Sequence, residues 1–118
     1  MAVLTRSLWQ VAAQYSSSFQ AVPDSEALIE GEAVEGDRLV HWGRFCGTVT
    51  GSWLGQPPTG RRVDLPFAAV IELRDGRMVG ETLYYDLATL CEQAGFSLAA
   101  VTATAHALRE AGAVGRAA

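Results

Sequence analysis

The 118-residue sequence predicts one α+β domain: a long helix laid on a curved, mostly antiparallel four-stranded sheet, followed by two C-terminal helices. Three observations carry that prediction. Residues 62–74 place Val63, Leu65, Phe67, Ala69, Ile71 and Leu73 in period two, as in a strand with one buried face. Asp75-Gly76 follows at once, flanked by apolar alternation, which is a strong hairpin signal. Near the start, Leu8, Val11, Ala12, Tyr15 and Phe19 recur at offsets of three and four, as on one face of a helix.

Taken in order, the first element expected is an amphipathic helix from Leu4 to about Ala21, capped by Thr5 or Ser7 and stopped by Pro23. Ser25–Val34 alternates glutamates with small apolar residues, as an exposed strand does, and Glu35-Gly36-Asp37 reverses the chain. Arg38–Thr50 is rich in Val, Trp, Phe and Thr and reads as a long second strand, with Gly43 and Gly47 marking a bulge or bend. Residues 51–60, with three glycines and two prolines, form a loop. Arg62–Arg74 and Arg77–Tyr85 are the paired third and fourth strands. Asp86 caps a short helix whose inner face is Leu87, Leu90, Cys91 and Ala94, and Gly95 ends it. A last helix runs from a Ser97 cap to about Ala111, with Leu98, Val101, Ala105 and Leu108 as its stripe, and the tail after it frays.

Composition narrows the function classes. With 49% hydrophobic and 19% charged residues the chain can bury a core. A net charge of −4 gives no electrostatic basis for holding phosphate backbones or anionic lipid, so neither nucleic acid nor membrane is an expected partner. Cys46 and Cys91 lack a CxxC or a histidine cluster, and reduced thiols in a cytosolic protein are expected. The opening residues hold no apolar run long enough for a signal peptide or a span, which again points to the cytoplasm. Neither a phosphate loop, a metal cluster nor a nucleophile–base set is present, so no metal or cofactor is expected.

Five fragments in order resemble a known family: Gly47-Thr48-Val49-Thr50-Gly51, Gly55-Gln56-Pro57-Pro58-Thr59-Gly60-Arg61, Asp75-Gly76-Arg77-Met78, Tyr84-Tyr85-Asp86 and Gln93-Ala94-Gly95. The sequence from Leu4 to Gly95 resembles the SnoaL-like polyketide cyclase and ester cyclase family, part of the nuclear-transport-factor-like α+β superfamily. Residues 96–118 add a helix and tail. The resemblance implies a cone whose sheet wraps a hydrophobic pocket, usually in a homodimer. For the antibiotic-pathway members it implies a cofactor-free intramolecular aldol ring closure, with an aspartate as acid–base group and a histidine nearby. Counted from the Asp75-Gly76 turn, the aspartate position falls on Leu83 and the histidine position on Ala69, and leucine cannot transfer a proton. Members also carry two helices and a strand ahead of the long helix. A chain that begins at that helix is expected to lack part of its lid, replaced by the last helix or by a partner subunit.

If Leu83 faces the pocket, strand alternation puts Glu81 and Tyr85 on the same face, with Leu65, Phe67, Ala69 and Ile71 joining them across the hairpin. A carboxylate in an apolar pocket has its charged form disfavoured, which suits Glu81 to acid–base work; the plain alternative is a solvated glutamate near the strand's start. Tyr85 is a candidate donor to a ligand carbonyl, or a core tyrosine with its hydroxyl at the rim. On the second strand either His41 with Phe45, or Trp42 with Arg44 and Cys46, points inward, and both sets remain candidates. His41 is the natural titrating group, although most strand histidines are structural. Two functions follow: a cofactor-independent cyclase or isomerase of secondary metabolism acting on an apolar carbonyl compound, or a non-catalytic binder of an apolar ligand. A third possibility is half of a shared cone, completed by another polypeptide or by a second copy as a swapped dimer.

Overall fold

Five strands form a single antiparallel sheet in the computed structural model, which describes residues 2–7 and 17–110. They are β1 (Ala2–Ser7), β2 (Glu26–Glu35), β3 (Arg38–Thr48), β4 (Arg62–Arg74) and β5 (Arg77–Tyr85), ordered β1-β5-β4-β3-β2 across the sheet. Two helices follow, α1 (Leu87–Ala94) and α2 (Leu98–Glu110). The α+β reading and the four predicted strands hold, and β1 is an addition to them.

That addition corrects the start of the expected first helix, at Leu4–Ser7. Ala2–Ser7 pairs in register along the outer edge of β5, from Ala2 opposite Tyr85 to Ser7 opposite Gly80. Residues 2–7 include β-branched Val3 and Thr5, and an unpaired β5 edge offers them a ladder that no helix would satisfy. The stripe residues Leu8, Val11, Ala12 and Tyr15 lie outside the described residues. Helix is present over residues 17–21 and stops before Pro23. There the burial falls on Ala21 and Val22 rather than on Phe19, which is 57% exposed. The turn after it is tied to the sheet by Asp24, whose carboxylate accepts from the Thr48 amide at 2.7 Å and the Thr48 hydroxyl at 2.8 Å.

The β4–β5 hairpin turns through Asp75 and Gly76, both at positive φ (52° and 74°), the signature of a type I′ turn whose twist matches that of its strands. One register shift follows, because Leu73 faces Met78 while Glu72 faces Gly80, leaving Val79 as the extra residue. A second irregularity lies in β2 between Ile29 and Gly31. The expected bulge at Gly43 is therefore on the neighbouring strand. Gly43 itself is a close-approach site, where a Cβ would strike the Leu28 carbonyl.

The core gathers at one end of the sheet. Val63 and Leu65 of β4 meet Leu90, Cys91 and Ala94 of α1, Val101 of α2, Phe96 between the helices, and Ala21, Val22 and Val49. Trp53 reaches over from the 51–60 loop, its ring 6.2 Å from Phe45 and 6.4 Å from Phe96. β5 stops at Tyr85, opposite Phe67, so the backbone of Asp64 has no strand beyond it on that side. Gln93 of α1 fills the gap: its carbonyl accepts from the Asp64 amide at 2.7 Å and its amide donates to the Asp64 carbonyl at 3.1 Å. Asp86 caps α1 through the Thr89 amide at 3.1 Å, and Gly95 closes it in the left-handed region (φ 76°), both as expected. Ser97 caps α2 through the Ala100 amide at 3.2 Å.

Replacing Asp86 by alanine is expected to lower unfolding free energy by about 1 kcal/mol through the lost cap, read by urea denaturation. Acid stability follows from three carboxyls held below the usual aspartate value of 3.8: Asp24 by Thr48, Asp64 by Arg44 and Asp86 by Thr89. A carboxyl lowered on folding stabilises fully above its unfolded value and stops doing so as pH falls through the folded one. Stability measured against pH should therefore drop below about 3.8, and Asp24→Asn should make that drop shallower.

Candidate functional site

Register decides which side chains share a face, since residues directly opposite in an antiparallel sheet point the same way. One row runs His41–Ala69–Leu83, from β3 through β4 to β5. The row on one side is Leu39–Ile71–Glu81, and on the other Gly43–Phe67–Tyr85. Phe45 and Leu65 come next and lead into the core beneath α1. We call this the inner face.

Glu81 is 3% exposed and is the buried charged side chain among the described residues. Its register neighbours are Ile71 on β4 and Arg6 on β1. His41 sets its imidazole edge-on to Phe67, with centroids 5.9 Å apart and planes at 85°. Ala69, 1% exposed, puts only a methyl between His41 and Leu83. Two strand spacings and one two-residue step separate the backbones of His41 and Glu81, about 12 Å from standard sheet geometry. The two groups are thus too far apart to share a proton directly.

The inner face brings together Glu81, His41, Phe67, Ala69, Ile71 and Leu83, so the open choice on β3 falls to His41 with Phe45. Trp42 and Arg44 do not share that face. Trp42 is opposite Ala68 and Arg44 opposite Pro66, which puts both on the outer face, away from Leu83. Arg44 donates to Asp64 at 2.7 Å in a solvent-exposed pair. Leu65 shares the inner face by register but is buried in the core at its end. Tyr85 lies on the inner face but packs against that core. His106 is exposed on α2.

Both cysteines are free, and burial raises the Cys91 thiol above its ordinary value. Among the described residues no three His, Cys, Asp or Glu side chains gather to hold a metal, and no helix is long and apolar enough to cross a membrane. Sequence reasoning missed a groove on the outer face of about 530 Å³, lined by Trp42, Pro66, Ala68 and Tyr84 with Glu30 and Asp86 beside them. Its one signal was the pairing of Trp42 with Arg44 in alternation, which needed the register to be assigned a side.

The profile of the SnoaL-like polyketide cyclases matches residues 3–94. The chain belongs to the SnoaL-like polyketide cyclase family. Solved structures agree. A protein from Jannaschia sp. CCS1 described as a SnoaL-like polyketide cyclase is 31% identical, with a TM-score of 0.69 over 73% of this chain and 60% of that one. IdmH from Streptomyces antibioticus, described as a polyketide cyclase, is 30% identical, with a TM-score of 0.56 over 74% of this chain and 61% of its own. AclR from Streptomyces galilaeus, described as a hydroxylase, is 22% identical with a TM-score of 0.67 over 75% of this chain and 67% of its own, a likeness of fold alone. The chain thus spans about three fifths of the first and second of these relatives. A search of curated proteins found no match.

Within this SnoaL-like sheet, the two positions that the sequence comparison singled out, 69 and 83, are direct register partners. They hold alanine and leucine. Glu81, the nearest carboxylate, stands one inner-face step along β5 from Leu83.

Proposed function

We propose that the protein is a cofactor-independent cyclase or isomerase of secondary metabolism that moves protons on a polyketide-like or other apolar carbonyl compound. The observation that carries this is Glu81, a carboxylate buried on an apolar face beside the vacant aspartate position. In the reaction, the Glu81 carboxylate takes a proton from the carbon next to a carbonyl. The resulting enolate forms a carbon–carbon bond to a second carbonyl of the same molecule. The alkoxide so made takes up a proton, and Glu81 returns its own to solvent or product. No electrons leave the substrate, so no redox partner is needed. His41, on the far side of Ala69, is the second proton-handling group, and Tyr85 shapes the wall between the site and the core. Much of the rate in such a ring closure comes from holding the chain folded, which an apolar surface of Phe67, Ile71 and Leu83 does. We also propose a homodimer working in the cytoplasm.

Leu83 and Ala69 favour a second reading, in which the same surface binds an apolar ligand without acting on it. Deuterium exchange at the acidic carbon of simple 1,3-dicarbonyl compounds, followed by NMR, separates the two. The wild type should accelerate exchange, and Glu81→Gln should slow it by about 10²–10⁴-fold, while leaving affinity within a few-fold. Binding without any acceleration supports the second reading, and unchanged exchange in Glu81→Gln removes Glu81 from its role.

A further inference from the structure

The groove on the outer face combines aromatic flanks with unpaired negative charge. Its central row runs Gly31–Trp42–Ala68–Tyr84 across four strands. The Trp42 indole lies over Gly31, where any Cβ would strike the ring, so it leans toward β2 and is 43% exposed. Ala68 adds only a methyl to the row, and two strand spacings, about 10 Å, separate the backbones of Trp42 and Tyr84. These four positions leave the groove of about 530 Å³, with an aromatic residue on each flank and Pro66 and Ala68 as its apolar floor. Glu30 and Asp86 border it from opposite sides, Glu30 on β2 and Asp86 just past the end of β5. Among the described residues neither carboxylate is in an ion pair, and Arg44, on the same face, is committed to Asp64 at 2.7 Å. The Thr89 amide holds the Asp86 carboxyl below the usual aspartate value, so it stays charged at neutral pH.

We infer that this groove binds a small organic cation, an aromatic body bearing a protonated amine, with the body on the Ala68 floor between Trp42 and Tyr84 and the ammonium turned to a bordering carboxylate. Charge complementarity selects this occupant. Tryptophan and tyrosine rings attract a cation through their electron-rich faces, and the Glu30 and Asp86 carboxylates add to the same preference. The chain's net charge of −4 works in the same direction and against an anionic ligand. A bare metal ion is a poorer occupant, because it needs several oxygens to converge on one point. Three strand spacings, about 14 Å, separate β2 from β5, so the two carboxylates cannot meet on one ion. A neutral apolar molecule would fill the floor and gain nothing from either carboxylate. This site lies on the opposite face from Glu81 and His41 and is independent of the reaction proposed above. It requires the groove to be open in the assembled protein.

Probes of one shape and different charge test it: phenethylammonium, 2-phenylethanol and phenylacetate, titrated into protein carrying isotope-labelled tryptophan. NMR reads the indole N–H signals, and the Trp42 signal is the one lost in Trp42→Phe. Phenethylammonium should shift that signal with a dissociation constant of about 10 mM or tighter, and 2-phenylethanol should bind at least about 10-fold more weakly. Phenylacetate should bind no better than the alcohol. Glu30→Gln combined with Asp86→Asn should erase the preference for the ammonium, while asparagine keeps the cap of α1. Gly31→Ala, which displaces the Trp42 ring without changing any charge, should weaken phenethylammonium about 10-fold. Far-UV circular dichroism checks that each variant folds, and the comparison of probes on the wild type needs no variant. Equal binding of the ammonium and the alcohol overturns the inference, since the groove is then an apolar recess only. So does a preference that survives Glu30→Gln with Asp86→Asn. A Trp42 signal unmoved by phenethylammonium up to about 10 mM also overturns it, including where sedimentation shows that a second copy covers the groove.

Discussion

The pairing of β4 with β5 is the constraint on which the rest of the molecule depends. A type I′ turn at Asp75-Gly76 starts the ladder, and the extra residue at Val79 resets it by one before it reaches Glu81. Side chains alternate faces with a period of two, so a slip of one residue would exchange the whole set. Without the shift at Val79, Leu83 would no longer lie opposite Ala69 and Glu81 would no longer share a face with His41. A single bulged position therefore governs which carboxylate is buried and which aromatics face outward.

The motifs that reveal the family are mostly joints of this frame. Arg61 ends the proline-rich loop, and its guanidinium lies across Gly95, 3.2 Å from where a Cβ would be. Gly95 is held at φ 76°, so a side chain there would be strained as well as crowded. Gln93 completes the ladder of Asp64 where β5 runs out, and Asp86 caps the helix that carries Gln93. Together these residues staple α1 to the start of β4. They are joints of the fold and not groups that transfer protons, and a fold's joints and its chemistry are separate requirements.

How much was legible in the sequence follows the same division. Local rules sufficed for the Asp75-Gly76 turn, the Asp86 cap, the Gly95 terminus and the period of β4, because each is decided by a few adjacent residues. Leu4–Ser7 was misread as helix because its reason for being a strand is the distant edge of β5. Alternation alone could say that His41 and Trp42 point opposite ways but not which one points inward. That choice rests on register with β4, a long-range fact. The depth of Glu81 was likewise hidden, since burial of a glutamate depends on three strands meeting around it and not on its own neighbours.

The most direct test of this account is a pair of engineered cysteines at the two family positions. Ala69→Cys with Leu83→Cys, in a background where Cys46 and Cys91 are replaced by serine, places two thiols on residues whose Cα atoms are opposed at about 4.5–5.5 Å in such a ladder. The register predicts an intramolecular disulfide on mild oxidation, seen as a mass loss of two hydrogens in the monomer, and none for Ala68→Cys with Leu83→Cys. A bridge that forms from position 68 and not from 69 would contradict the register, and with it the inner face assigned to Glu81, His41 and Leu83.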